Sequence, residues 1–106
     1  MLTGKPRRVA IVAANRTPFA RSGTAYAKLS NKTMLTDTLR GLVEKCRLEG
    51  ERLGEVAGGA VMKHSSDWNL VRECVLSSGL DPQTPAYDVQ QACGTGLEAI
   101  MLVANK

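Results

Sequence analysis

The first continuous apolar run of the chain is Val9-Ala10-Ile11-Val12-Ala13-Ala14. Such a run, bounded by Thr17-Pro18, predicts a strand near residues 9–14 buried on both faces of a parallel sheet. Residues 20–32 carry Gly, Ser, Asn and Lys and read as a surface loop. Between Thr33 and Glu49 the apolar positions Leu35, Leu39, Leu42, Val43 and Cys46 recur at spacings of three and four, which predicts a helix. Thr33 is placed to cap its start and Gly50 to stop it. Glu44, Lys45, Arg47 and Glu49 fall mostly on the opposite, solvated side. Glu55–Met62 predicts a second strand, weakened by the adjacent Gly58 and Gly59. A second helix is expected near 67–78, capped by Ser66 or Asp67, with Trp68, Val71, Val75 and Leu76 on its apolar face and Gly79 at its end. After Asp81-Pro82, Pro85–Gln91 predicts a third strand. The last segment, Leu97–Ala104, is apolar almost all round, and a helix of that composition belongs inside a protein.

The expected order is therefore β-α-β-α-β-α, with strands near 9–14, 55–61 and 86–91 and helices near 34–49, 67–78 and 94–105. Alternation of this kind implies an α/β fold with a mostly parallel sheet, here ending in a buried helix. Reactive groups in such sheets gather at the carboxyl ends of the strands.

With 106 residues, the chain has room for one small domain. Polar residues 1–8 are expected to fray. The net charge of +4 is scattered, and no basic run interleaves with aromatics, so nothing points to nucleic acid. Three irregularly spaced cysteines and one histidine form neither a disulfide framework nor a metal site, and they fit a reducing compartment. Residues 1–8 carry no apolar h-region, and no apolar run approaches a membrane span. The expectation is a cytoplasmic protein, or a mitochondrial matrix protein whose targeting segment has been removed. A strongly apolar helix followed at once by Lys106, with no stop signal, reads as a piece of a longer chain.

The chemistry centres on Ala92-Cys93-Gly94-Thr95-Gly96. Most intracellular cysteines are small buried hydrophobes, and Cys46 and Cys74 occupy apolar positions of predicted helices in that way. Cys93 is placed differently, at the end of a strand and the first turn of a helix. N–H groups there point at whatever sits at the helix end and favour an anion, and the thiolate is the nucleophilic form of cysteine. Gly94 and Gly96 keep side chains away from the sulfur, so a bulky substrate could approach. Strand, sharp turn, nucleophile, buried helix is also the layout of the hydrolase nucleophile elbow, with sulfur in place of oxygen. His64 could serve as a base but has no identified partner, and a loop histidine of that kind is more often solvated.

Three stretches carry a family resemblance: Arg16-Thr17-Pro18-Phe19, Asn69-Leu70-Val71-Arg72-Glu73 leading through Gly79-Leu80 to Pro82, and Gln90-Gln91-Ala92-Cys93-Gly94-Thr95-Gly96-Leu97-Glu98-Ala99. Together they resemble the N-terminal part of a thiolase. Ala20-Arg21-Ser22-Gly23-Thr24 looks closest to the thiolase subunit of the β-oxidation complexes. The resemblance implies that residues 1–106 are the first part of the N-terminal domain of a layered fold. It implies an acyltransferase in which Cys93 attacks an acyl thioester and its N–H contributes to an oxyanion hole. The substrates would be coenzyme A thioesters: acyl-CoA or 3-oxoacyl-CoA, with coenzyme A or acetyl-CoA as the second reactant, and no cofactor would be permanently bound. It further implies a homo-oligomer, dimer or tetramer, with a multifunctional β-oxidation partner subunit as one candidate partner.

The family's Gly-His-Pro and Cys-x-Gly motifs do not occur in these residues, nor does its catalytic Asn motif, and its coenzyme A-binding loop is expected outside them, so this chain alone is expected not to turn over. Two readings remain beside it. A ketoacyl-synthase-like condensing enzyme shares the fold and the cysteine, and a non-catalytic dimerisation module would leave Cys93 inert. A dinucleotide-binding domain is disfavoured, because Asn15-Arg16-Thr17-Pro18 lacks the glycines that let phosphates approach.

Overall fold

The computed structural model describes residues 6–106. Its regular elements are α1 (Asn31–Lys45), β1 (Val56–Gly58), α2 (Leu70–Leu76), β2 (Ala86–Asp88) and α3 (Thr95–Ala104). Short 3-10 turns at Ser65–Asp67 and Ala92–Gly94 lead into α2 and α3. β1 and β2 pair in parallel, with Val56 opposite Ala86, Ala57 opposite Tyr87 and Gly58 opposite Asp88. Parallel neighbours need a crossover, and α2 lies within it. The α/β class and the parallel sheet expected from the alternating pattern are what the chain forms. Residues 1–5 of the polar start lie outside the described residues.

The core sits where α2 meets α1 on one side and the two strands on the other. Val43, Leu70, Val71, Cys74, Val75, Leu80 and Thr84 are buried there. Of the expected apolar face, Val71 and Val75 are buried, but Leu76, at the end of α2 and 50% exposed, and Trp68 do not share it. Trp68 ends the 3-10 turn before α2 begins and is 82% exposed.

Local hydrogen bonding moves several boundaries. Ser30, not Thr33, caps α1: its backbone is extended and its hydroxyl accepts from the Thr33 N–H at 3.1 Å. At the other end Arg47 adopts a left-handed backbone, φ 55. The Leu48 N–H then donates to the Val43 carbonyl at 2.9 Å and the Arg47 N–H to the Glu44 carbonyl at 3.2 Å. That is a Schellman ending with arginine where glycine is usual, and it stops the helix before Gly50. α2 is capped neither by Ser66 nor by Asp67. The Asp88 carboxylate, at the end of β2, accepts from the Leu70 N–H at 3.1 Å and the Val71 N–H at 2.8 Å.

Residues 9–14 form no strand. Val9, Ile11 and Val12 are 58%, 80% and 91% exposed. Apolar β-formers become a buried strand only where a ladder partner and covering layers exist. Among the described residues none pairs with this segment. It is held by side chains instead: Arg7 to the Ala104 carbonyl at 2.7 Å, Lys45 to the Ala14 carbonyl at 3.3 Å, and Asn15 to the Thr38 carbonyl at 2.9 Å.

The same holds for α3. It packs on β1 through Thr95 and Ala99, both buried, while Leu97, Ile100, Met101 and Val103 are 63%, 55%, 46% and 41% exposed. The helix is therefore covered on one side only.

The paired glycines of the second strand have a packing reason. A Cβ at Gly58 would lie 3.1 Å from a Val71 methyl. One at Gly59 would overlap the Val89 carbonyl oxygen and lie 3.0 Å from the Thr95 methyl. β1 and its extension can approach α2 and the start of α3 only without those side chains.

Candidate functional site

The ladder runs on past β2, with the Val89 N–H donating to the Gly58 carbonyl at 2.8 Å. The Gln90 side-chain amide donates to the Val61 carbonyl at 3.2 Å. The chain then reverses. Ala92 takes φ 45, a left-handed conformation that costs a residue with a Cβ about 1–3 kcal/mol. The Gly94 N–H closes the turn on the Gln91 carbonyl at 2.8 Å, and α3 begins at Thr95. Cys93 is the middle residue of this turn and its side chain is exposed.

Thr95 is nearly sealed, 5% exposed. Its hydroxyl accepts from the Gln91 N–H at 2.9 Å and donates to the Ala92 carbonyl at 2.8 Å. The two glycines beside Cys93 differ in surroundings. A Cβ at Gly94 would make only ordinary contact with the Gln91 side chain, and one at Gly96 would meet nothing within 4 Å. Neither glycine is demanded by packing among the described residues.

The other candidates lie apart in character. Cys74 is fully buried in α2, and burial pushes its thiol pKa up. The adjacent Thr36 hydroxyl and the Lys32 charge pull the other way, although the hydroxyl makes no well-formed hydrogen bond of its own. Cys46 is half-buried at the end of α1. His64 is exposed and its side chain makes no cap bond to the 3-10 turn that follows it. Surface cavities among the described residues include one of about 370 Å³ between residues 15–17 and α1 and one of about 290 Å³ beside the start of α2. Cys93 lines neither. Among the described residues no group of His, Cys, Asp or Glu side chains is gathered as for a metal ion, and no helix is long and apolar enough to cross a membrane.

Sequence reasoning placed Cys93 at a strand end and helix start, and the structure puts it there with one 3-10 turn between. It missed the strained Ala92 and the Thr95 hydroxyl. The available signal for Thr95 was a hydroxyl residue at the first position of an otherwise apolar helix, where such side chains bond to nearby backbone.

This strand–turn–helix unit can be set against known proteins. Residues 9–106 match the family model described as "Thiolase, N-terminal domain". The 3-ketoacyl-CoA thiolase of Shewanella sp. (strain ANA-3) is 35% identical over 101 residues, covering 95% of this chain and 23% of that protein. The 3-ketoacyl-CoA thiolase of Escherichia coli (strain 55989 / EAEC) is 33% identical over 105 residues, covering 99% of this chain and 24% of that protein. The chain thus spans about a quarter of the length of the curated relatives it matches. A family match reaching from the first apolar run through the Cys93 turn to the last helix means that the chain belongs to the thiolase family, in the region of its N-terminal domain.

Proposed function

We propose that Cys93 is the acyl-accepting nucleophile of a thiolase-type acyl transfer. The observation that carries the reading is its position: an exposed thiol on a strained turn between the parallel sheet and the start of α3. The acyl donor is a coenzyme A thioester, acyl-CoA or 3-oxoacyl-CoA, and the acceptor is coenzyme A or acetyl-CoA. The name shared by the curated relatives, 3-ketoacyl-CoA thiolase, supports this choice of substrate class.

In transfer from a simple acyl thioester the Cys93 sulfur forms a bond to the carbonyl carbon. The carbonyl electron pair moves to oxygen, where the Cys93 N–H donates to the developing charge. The carbon–sulfur bond to coenzyme A then breaks, the leaving sulfur takes a proton, and an acyl-cysteine remains. In condensation acetyl-CoA, as its carbanion, attacks that acyl-cysteine and the Cys93 sulfur leaves. In thiolysis the acyl-cysteine forms instead by attack of Cys93 on the 3-oxo carbon of 3-oxoacyl-CoA: the bond between carbons 2 and 3 breaks and acetyl-CoA leaves once its carbanion takes a proton. Coenzyme A then attacks the acyl-cysteine, its thiol proton passing to the departing Cys93 sulfur. The open positions at Gly94 and Gly96 leave room for the thioester arm. Gly-His-Pro and Cys-x-Gly do not occur in these residues, so by themselves they are proposed to accept an acyl group without turning it over. The exposed apolar side chains of α3 support a self-associating protein, a homodimer or homotetramer.

The test is Cys93→Ser in the full-length protein, assayed for transfer between 3-oxoacyl-CoA and coenzyme A. A hydroxyl stays protonated where a thiol ionises, so the rate should fall at least about a thousandfold. A rate within about twofold of the unsubstituted protein would refute the role.

A further inference from the structure

The Cys93 turn contains a conformation that local preferences oppose. Ala92 sits at φ 45, where a Cβ is disfavoured, and no side chain from its own turn holds it there. A strained residue persists only where its surroundings over-determine it. Beside the backbone bonds of the turn, from the Gly94 N–H to the Gln91 carbonyl and from the Thr95 N–H to the Ala92 carbonyl, the surroundings here supply the Thr95 hydroxyl, which bonds the N–H before Ala92 and the carbonyl of Ala92 itself. Thr95 is fixed in turn by burial, with its methyl directed into the space that Gly59 leaves empty.

We infer that Thr95 is a positioning residue for Cys93: its hydroxyl clamps Gln91 and Ala92 and so sets where the thiol and the Cys93 N–H point. The inference rests on the reading of Cys93 as the nucleophile for its consequence, but not for its geometry. The methyl and the hydroxyl of Thr95 have separable tasks. The methyl fills the space beside Gly59, and the hydroxyl joins two backbone groups across the turn. Valine at this position keeps the shape and the backbone N–H bond to the Ala92 carbonyl but loses the hydroxyl clamp, leaving the Gln91 N–H without its partner. Serine keeps the clamp and loses the methyl.

The experiment measures alkylation of Cys93 by iodoacetamide in the full-length protein, located by peptide mass spectrometry, with a free peptide of residues 88–98 as the unstructured reference. The unsubstituted protein should differ from the peptide, and Thr95→Val should move the Cys93 rate at least about threefold towards it. Thr95→Ser should stay within about 1.5-fold of the unsubstituted protein, a rescue that a purely space-filling role would not produce. The Gln91 amide should exchange at least about 100-fold more slowly than the unstructured rate, and lose that protection in Thr95→Val while the α2 amides keep theirs. If Thr95→Val does not fold, the Gln91 amide of the unsubstituted protein decides. A Cys93 rate already equal to the peptide's, a Thr95→Val rate unchanged, or an unprotected Gln91 amide would each overturn the inference. Iodoacetamide needs no acyl donor, so the result stands whether or not Cys93 accepts an acyl group.

Discussion

Lys63 and Asp88 form the most enclosed ion pair among the described residues, Nζ to Oδ2 at 2.6 Å with side chains 18% and 11% exposed. The lysine also donates to the Trp68 carbonyl at 2.8 Å. The aspartate also takes two amides at the start of α2. One carboxylate thus ties the end of β2, the loop after β1 and the crossover helix together. Removing one member of a mostly buried pair costs more than the pair contributes, because the other charge is left without a partner. Asp88→Ala should lose about 3 kcal/mol in urea unfolding. Lys63→Met should lose less, since two amides still hold the carboxylate. Equal losses in the two variants would contradict this division of labour.

Gly59 and Gly96 should respond to alanine in opposite ways. At Gly59 the new methyl meets the Val89 carbonyl, which is backbone and cannot swing aside, so a loss of about 1–3 kcal/mol is expected. At Gly96 the methyl meets nothing, and alanine suits a helix better by up to about 1 kcal/mol. Under the proposed function, in which the open position at Gly96 leaves room for the thioester arm, the same methyl narrows the approach to Cys93. Gly96→Ala should therefore raise the unfolding midpoint and lower the rate of acyl transfer. A variant more stable and equally active would show that the open space is not used.

Alkaline pH should weaken the fold through two groups. Burial raises the Cys74 thiol above its ordinary 9.0, and the Glu55 carboxylate, bonded to the Tyr87 hydroxyl at 2.7 Å, raises that phenol above 10.0. In both cases the unfolded chain gives up its proton first. The stability contributed by the neutral form is complete below the unfolded value and is lost as pH rises through the folded one. Urea unfolding midpoints should fall from about pH 9 upward. Cys74→Ala should flatten the first part of that fall, and Tyr87→Phe the later part. An unchanged slope in Cys74→Ala would contradict the assignment.

What could be read from the sequence was what depends on near neighbours. The spacing of Leu39, Val43 and Cys46 gave α1, and the run through Ala86 gave β2 between two turn signals. The position of Cys93 between a strand and an apolar helix was legible for the same reason. What was missed depends on residues far away along the chain. Asp88 caps a helix that starts 18 residues before it, which no local rule anticipates. The strand expected at 9–14 had the right composition, but a strand also needs a partner, and composition does not supply one. Ala92 contradicts its own local preference, held by the Gly94 N–H bond across the turn and by the Thr95 bonds.

The apolar side chains left open on α3 carry a further expectation. Leu97, Ile100 and Met101 are large hydrophobes on an exposed face. Burying each would contribute roughly 1.5–3 kcal/mol. The 106-residue chain studied alone should self-associate, with sedimentation velocity showing species heavier than a monomer. Ile100→Lys should reduce that association. A stable monomer at high concentration would contradict the expectation.

The measurement closest to the central claim is direct location of the acyl group. Full-length protein is incubated with an acyl-CoA, quenched in acid, digested, and searched by mass spectrometry for an acylated cysteine. The acyl mass is expected on the peptide containing Cys93, and neither Cys46, at the end of α1, nor Cys74, buried in α2, should carry it. Acylated Cys46 or Cys74 with Cys93 unmodified would contradict the account.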